Sequence, residues 1–149
     1  MDRTERVELT ALCMICRGNE ILIQNRTKND WSGYVFPGGH VEAGESIVQS
    51  VIREMKEETG LTIRNPKLCG VKQFPIENGR YIVFLFKTDR FEGELCSSEE
   101  GEVEWADRSR LSSYALADDM EDLIKVMDSD ELSEFQYIIE DEKWIVALA

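Results

Sequence analysis

The 149-residue chain reads as an α/β sandwich built on a mixed β-sheet. Strand-like apolar runs recur along most of its length, and two segments carry apolar residues at helical spacing. A Pro37-Gly38-Gly39 break leads towards the first of those helices. No internal repeat, linker or low-complexity tract interrupts the sequence, so residues 1–149 are expected to form one domain.

Residues 7–16 predict a strand, residues 17–20 a turn, and residues 21–25 the returning strand of a hairpin. Residues 26–33 are polar and turn-rich, with Trp31 their large apolar side chain. A short strand at 34–36 is expected to stop at Pro37-Gly38-Gly39, whose open backbone a ligand can approach closely. Ser46 followed by Gln49 makes a capping-box pattern, and Gly60 stands where a helix C-terminal stop belongs. Between them Ile47, Val48, Val51, Ile52 and Met55 share one helical face, which is expected to pack on a sheet.

Segments 68–74 and 81–87 predict two more strands, joined by a loop that carries Pro75 and the hairpin signal Asn78-Gly79. A turn-rich bridge at 91–95 leads to the acidic residues 97–102 and a short strand near 103–105. Leu116, Met120, Leu123, Ile124 and Met127 have the spacing of a second helix's buried stripe. Residues 135–139 and 144–148 are apolar enough to dock as strand or irregular cover.

Thirty acidic against seventeen basic residues give a formal charge of −13. Such a field repels polynucleotide backbones, so no nucleic-acid polymer is expected as a partner. A small phosphorylated ligand stays compatible if a divalent cation and a few placed basic residues offset the charge. The apolar runs are too short to span a bilayer, and the charged amino terminus lacks a signal core, so no membrane association and a cytoplasmic location are expected. Monomer and homodimer stay open. Cys13 and Cys16 have the spacing of a redox or metal knuckle, but within a strand they point to opposite faces. With His40 the single histidine, a zinc site is poorly supplied, and Cys13, Cys16, Cys69 and Cys96 read as buried, inert thiols.

The first helix ends in a knot of carboxylates. Glu54, Glu57 and Glu58 lie within about two turns, where their repulsion destabilises the helix unless a cation sits among them. Glu54 and Glu58 are spaced i,i+4 and Glu54 and Glu57 i,i+3, so all three can reach one metal cluster.

Gly39, Glu45 and Arg53-Glu54-Met55-Lys56-Glu57-Glu58-Thr59-Gly60-Leu61 match every fixed position of the Nudix box, here residues 39–61. The sequence thus resembles the Nudix hydrolases, which cleave nucleoside diphosphates linked to another moiety. The stretches Phe36-Pro37-Gly38-Gly39-His40 and 97–105 look most like the MutT/MutX-type 8-oxo-dGTP diphosphatases. The resemblance implies the Nudix α/β/α sandwich, a catalytic loop–helix–loop, and Mg²⁺ as cofactor with Mn²⁺ as a possible substitute. It implies a small nucleotide substrate cut to a nucleoside monophosphate and pyrophosphate, 8-oxo-dGTP leading. It makes Glu54, Glu57 and Glu58 the metal-binding and catalytic set, with Glu54 the leading activator of water, and Gly38 a carbonyl ligand of the metal. Arg53 belongs to the same set, either clamping Glu45 or Glu57 or touching phosphate.

A further metal glutamate from a distant loop is implied as well; counting back from Trp105 favours Glu99, then Glu100, then Glu102. Arg26 matches a substrate-phosphate arginine, and Gly39 lies in the substrate loop. Asp118 and Asp119 resemble an acidic pair that reads purine edges, with N-capping of the second helix as their other reading. Trp31 or Tyr81 can stack on a base or simply pack, and His40 either grazes a phosphate or is a solvated surface residue. Pro75 lies close to the proline of ADP-ribose hydrolases, and Tyr81 falls a little after the tyrosine of dinucleoside-polyphosphate hydrolases. RNA 5′-end hydrolysis is disfavoured by the acidity. A binding module that keeps the fold without catalysis is the alternative of another class, and it has no need of the full glutamate set.

Overall fold

The computed structural model describes residues 1–26 and 33–149. In chain order the strands are β1 (Arg6–Arg17), β2 (Glu20–Arg26), β3 (Gly33–Val35), β4 (Gly38–His40), β5 (Thr62–Arg64), β6 (Lys67–Ile76) and β7 (Gly79–Thr88). They continue with β8 (Arg90–Glu92), β9 (Glu102–Asp107), β10 (Glu134–Glu140) and β11 (Lys143–Leu148). The helices are α1 (Ile47–Thr59) and α2 (Met120–Asp128), with a 3₁₀ turn at Arg108–Ser113. The main sheet runs β11-β10-β6-β7-β1-β2-β3, with β4 added beside β1 and β9 beside β2; β5 and β8 pair separately. The β1–β7 and β10–β6 pairs are parallel and the other pairs antiparallel, so the sheet is mixed.

The sheet curls because β1 and β2 part company. They pair through Cys16–Ile21 and Arg17–Glu20, after which β2 pairs with β9 and β3 while β4 takes the place beside β1 from Thr10 to Leu12. Strand alternation divides the core in two. Ala11, Cys13, Ile15, Leu22 and Phe86 pack with Val51 and Met55 of α1 on one face. Met14, Ile21, Ile23, Val83, Leu85 and Phe135 pack with Met120, Leu123, Val126 and Met127 of α2 on the other. Each fully buried side chain of this size contributes about 2 kcal/mol of transfer free energy.

Several expectations change. Residues 38–40 form a strand rather than only a turn, because without Cβ atoms the glycines lie flat against β1. The turn between β6 and β7 is Glu77-Asn78, with Asn78 at φ 62°, and Gly79 begins β7 opposite Ile76. Pro75 sits inside β6 opposite Arg80, beyond the residues 71–73 that pair with β10, so its missing N–H costs no bond on that side. Leu116 precedes α2 and bridges to Tyr34 of β3. Both tail segments are strands, and β5 and β8 had no periodic signal at three residues each. Cys13 and Cys16 do face opposite clusters, but Cys96 is exposed, so the set is not uniformly buried. Among the described residues no helix is long and apolar enough to cross a membrane.

Candidate active site

The site begins with the punctuation of α1. The Ser46 side chain accepts the Gln49 N–H at 3.2 Å, and Gly60, at φ 80°, closes the helix with its N–H donated to Lys56. These stops fix the turn that carries Glu54, Glu57 and Glu58 against β4. An ideal Cβ on Gly39 would lie 2.4 Å from the Glu54 carboxyl carbon, so only glycine lets that carboxylate lie on the β4 backbone. Glu58 is buried and accepts the Gly38 N–H at 2.8 Å.

The pairing alternates along β4. Cys13 donates to the Pro37 carbonyl and Val41 to the Leu9 carbonyl, which turns the polar groups of Gly38 away from β1 and towards α1. That accounts for the bond to Glu58 and sends the Gly38 carbonyl to the same side.

Arg53 ties the loop to the helix. Its Nε and Nη2 donate to both Glu45 oxygens at 2.8 and 3.0 Å, and Nη2 also donates to the His40 carbonyl at 3.0 Å. Nη1 reaches Glu54 at 3.0 Å and Glu57 at 3.2 Å. The guanidinium holds Glu45 down at about 2, through its hydrogen bonds first. Glu54 and Glu58 shift the other way. Burial raises Glu54 against the pull of Arg53. Burial pushes Glu58 up to about 8, with the Gly38 N–H opposing and the Glu54 and Glu100 charges adding to the rise. Glu57 stands apart, its side chain 58% exposed.

Glu54, Glu58, Glu57 and the Gly38 carbonyl offer hard oxygens of the kind a divalent cation takes. Two of the carboxylates are held where burial disfavours their charge, and a cation there would reverse that penalty. The donor set therefore fits such an ion, although the described residues do not gather three of these side chains into a preformed metal cage. Glu100 faces this cluster: it contributes to the Glu58 shift and approaches Arg26 at 3.8 Å, and among the described residues Glu99 makes neither contact. Glu102 opens β9 opposite Asn25. Arg26, at the end of β2, pulls on Glu58 and lies beside Glu100, and its buried Nε has no partner among the described residues.

The remaining expected residues fall on the α2 face of the sheet. Tyr81 of β7 stacks on its cross-strand neighbour Phe74 at 4.7 Å and 14°, and meets His40 edge-on at 6.2 Å. Phe74 covers one of its ring faces. His40 is a surface residue, its side chain 56% exposed, and it bonds Glu8 at 2.6 Å. Asp119 occupies the N-cap position of α2 but makes no side-chain cap bond, which corrects the capping reading. Its carboxylate is ion-paired with Lys72 of β6, both side chains nearly buried, while Asp118 is exposed beside it. Trp31 lies outside the described residues. Lys72, Phe74 and Tyr137 were missed at the sequence level; the available signal was a lone basic residue inside the apolar run 68–74.

The NUDIX domain family pattern matches residues 7–136, so the chain belongs to the Nudix family. It is 39% identical over 111 residues to the Uncharacterized Nudix hydrolase YvcI of Bacillus subtilis, covering 70% of this chain and 69% of that protein. An ADP-ribose pyrophosphatase of Methanocaldococcus jannaschii is 38% identical over 116 residues, covering 75% of this chain and 68% of the relative. The oxidized purine nucleoside triphosphate hydrolase of Danio rerio is 31% identical over 120 residues, covering 76% and 75%. Among solved structures, the MutT protein from Bacillus halodurans superposes with a TM-score of 0.77 at 32% identity, covering 95% of this chain and 97% of that one. The chain is thus a Nudix hydrolase with the mixed, curled sheet of the MutT structures.

Proposed function

We propose that the protein hydrolyses a nucleoside triphosphate to the nucleoside monophosphate and pyrophosphate, with 8-oxo-dGTP the leading substrate. The observation that carries the reaction is the packing of Glu54 and Glu58 onto the Gly38–Gly39 backbone, with Arg26 and Glu100 facing them. Glu54, Glu57, Glu58, Glu100 and the Gly38 carbonyl would hold Mg²⁺ or Mn²⁺. The bound ion would supply Lewis acidity on phosphate oxygens and a more acidic water. Glu54 takes the proton of the attacking water as its oxygen joins phosphorus, and the bridging anhydride oxygen leaves with pyrophosphate or the monophosphate. Arg26 meets the phosphate charge. Arg53, already committed to Glu45, positions the loop and does not touch substrate.

The base is assigned to the α2 face. Oxidation at C8 turns guanine N7 into a donor, and Asp118–Asp119 supplies acceptors beside the aromatic row of Phe74 and Tyr81. The similarity to an oxidized purine nucleoside triphosphate hydrolase supports this reading. ADP-ribose is the second reading, favoured by the 38% identity to an ADP-ribose pyrophosphatase; the same glutamates would cut either anhydride. The test is pyrophosphate release from 8-oxo-dGTP with Mg²⁺ and with EDTA. Release in Mg²⁺ alone is expected; tight binding without turnover would make the protein a nucleotide sensor.

A further inference from the structure

The β10–β11 hairpin leaves the body of the sheet. β10 pairs with β6 through Glu134, Phe135 and Gln136 and stops short of Pro75, which has no N–H to offer it. Beyond that point the two strands run on as a ribbon that turns at Asp141-Glu142, with φ of 50° and 66°. Ile138 pairs with Ile145 and Ile139 with Trp144, so the ribbon carries apolar side chains on both faces. All four are exposed, Trp144 by 53%. β11 ends the sheet and, among the described residues, pairs with β10 only. Ala149 and Glu134 exchange both of their backbone bonds, at 3.1 and 2.9 Å. Alternation along an antiparallel ladder then sends the N–H and C=O of Lys143, Ile145 and Ala147 to β10, and those of Trp144, Val146 and Leu148 outward. Exposed edges are normally blunted by a proline, a bulge or a charge. From Trp144 to Leu148 β11 has none of these.

We propose that β11 is a dimerisation edge: it pairs antiparallel with β11 of a second copy about a two-fold axis through Val146, joining the two sheets. The occupant is a second copy because the strand is complementary to itself. With Val146 opposite Val146, Trp144 falls opposite Leu148, so the three residues that turn their backbone groups outward meet each other in phase. On the α2 face Trp144 is covered by Leu148 of the second copy, and on the opposite face Ile145 is covered by Ala147. The charges agree with the same register. Lys143 comes opposite Ala149 of the second copy, whose inward neighbour on the same face is Glu134. Two strand spacings, about 10 Å between Cα atoms, lie within the combined reach of a lysine and a glutamate, and the two-fold axis makes this ion pair twice. The acidic turns at Glu140, Asp141 and Glu142 are carried to opposite ends of the joint, about 30 Å apart and well beyond the screening length of about 8 Å. A pair of six-residue strands makes an interface at the small end of the stable range, which fits a Kd of about 10 μM.

The experiment is sedimentation equilibrium of the full chain from about 1 to 500 μM, for the wild type, Val146→Pro, Lys143→Glu and the double swap Lys143→Glu with Glu134→Lys. The wild type is expected to pass from monomer to dimer across that range. Val146→Pro removes an N–H that β10 does not use, so it should keep the fold and raise Kd by at least about tenfold. Lys143→Glu sets like charges face to face and should raise Kd about tenfold, and the double swap should restore it to within about threefold of the wild type. A wild type that stays monomeric at about 500 μM overturns the proposal, and so does a dimer indifferent to Val146→Pro and to Lys143→Glu, which would use another surface. A monomer that instead floats with neutral phosphatidylcholine vesicles would give the exposed Trp144 and its neighbours to a membrane, and would overturn it as well. If Val146→Pro does not fold, the exposed Lys143→Glu and its double swap decide: no weakening by the first, or no recovery in the second, refutes the register.

Discussion

The end of α1 and the α2 face of the sheet are built in opposite ways. At α1, Gly38, Gly39, Glu45, Arg53, Glu54, Glu57 and Glu58 come from one contiguous stretch, so local spacing alone places them together. On the α2 face, Lys72 and Asp119 are 47 residues apart, and Phe74, Tyr81 and Tyr137 arrive on three different strands. Reaction chemistry tied to a short segment can stay constant while a face assembled from distant elements changes its substrate. The named relatives fit that division, one an ADP-ribose pyrophosphatase and another an oxidized purine nucleoside triphosphate hydrolase.

Breaking the first region should have the largest effect. Glu54→Gln is expected to cut kcat by about a thousandfold with an unchanged far-ultraviolet circular dichroism spectrum. Near-normal turnover would remove Glu54 from the chemistry. Gly39→Ala puts a methyl group where the Glu54 carboxylate lies, 2.4 Å from its carbon, and should cost about a hundredfold in kcat/KM. An active Gly39→Ala enzyme would mean that Glu54 does not need its place on β4.

Glu58 makes a prediction about stability. Its carboxyl, ordinarily at 4.5, is pushed up to about 8 in the folded chain. The folded state then holds a proton that the unfolded state has lost, so the associated stability is complete below about pH 4.5 and falls as pH rises towards about 8. In EDTA the melting temperature should therefore drop across that window by an amount corresponding to a few kcal/mol. Glu58→Gln should flatten the drop, and saturating Mg²⁺ at pH 8 should reverse it. A melting temperature flat with pH in the metal-free protein would show that Glu58 is not held against its charge.

The second region should respond more mildly. Tyr81→Ala is expected to raise KM for a nucleotide about tenfold with little change in kcat, and Tyr81→Phe to keep it, since ring stacking rather than the hydroxyl carries the contact. An equal loss in both variants would point to the hydroxyl and its bond with Thr10.

What was legible in the sequence follows the same division. The caps at Ser46 and Gly60, the buried residues Val51 and Met55 and the carboxylate knot were all readable, because each depends on neighbours within a turn or two. That Glu100 would approach Arg26 was not, since it depends on how the turn before β9 meets β2 across the sheet. Asp119 invited a capping reading because aspartate at a helix start usually caps; here a buried lysine on β6 claims its carboxylate. Residues 38–40 looked like a turn because glycine and proline signal one, while pairing with β1 drew them into the sheet.

The most direct test of the account is a competition between 8-oxo-dGTP and ADP-ribose in Mg²⁺, with both sets of products separated and quantified. The account predicts 8-oxo-dGMP and pyrophosphate as the dominant products, with kcat/KM at least about tenfold above that for ADP-ribose. Preferential cleavage of ADP-ribose would contradict it, leaving the glutamate cluster in place and removing the oxidised purine from the α2 face.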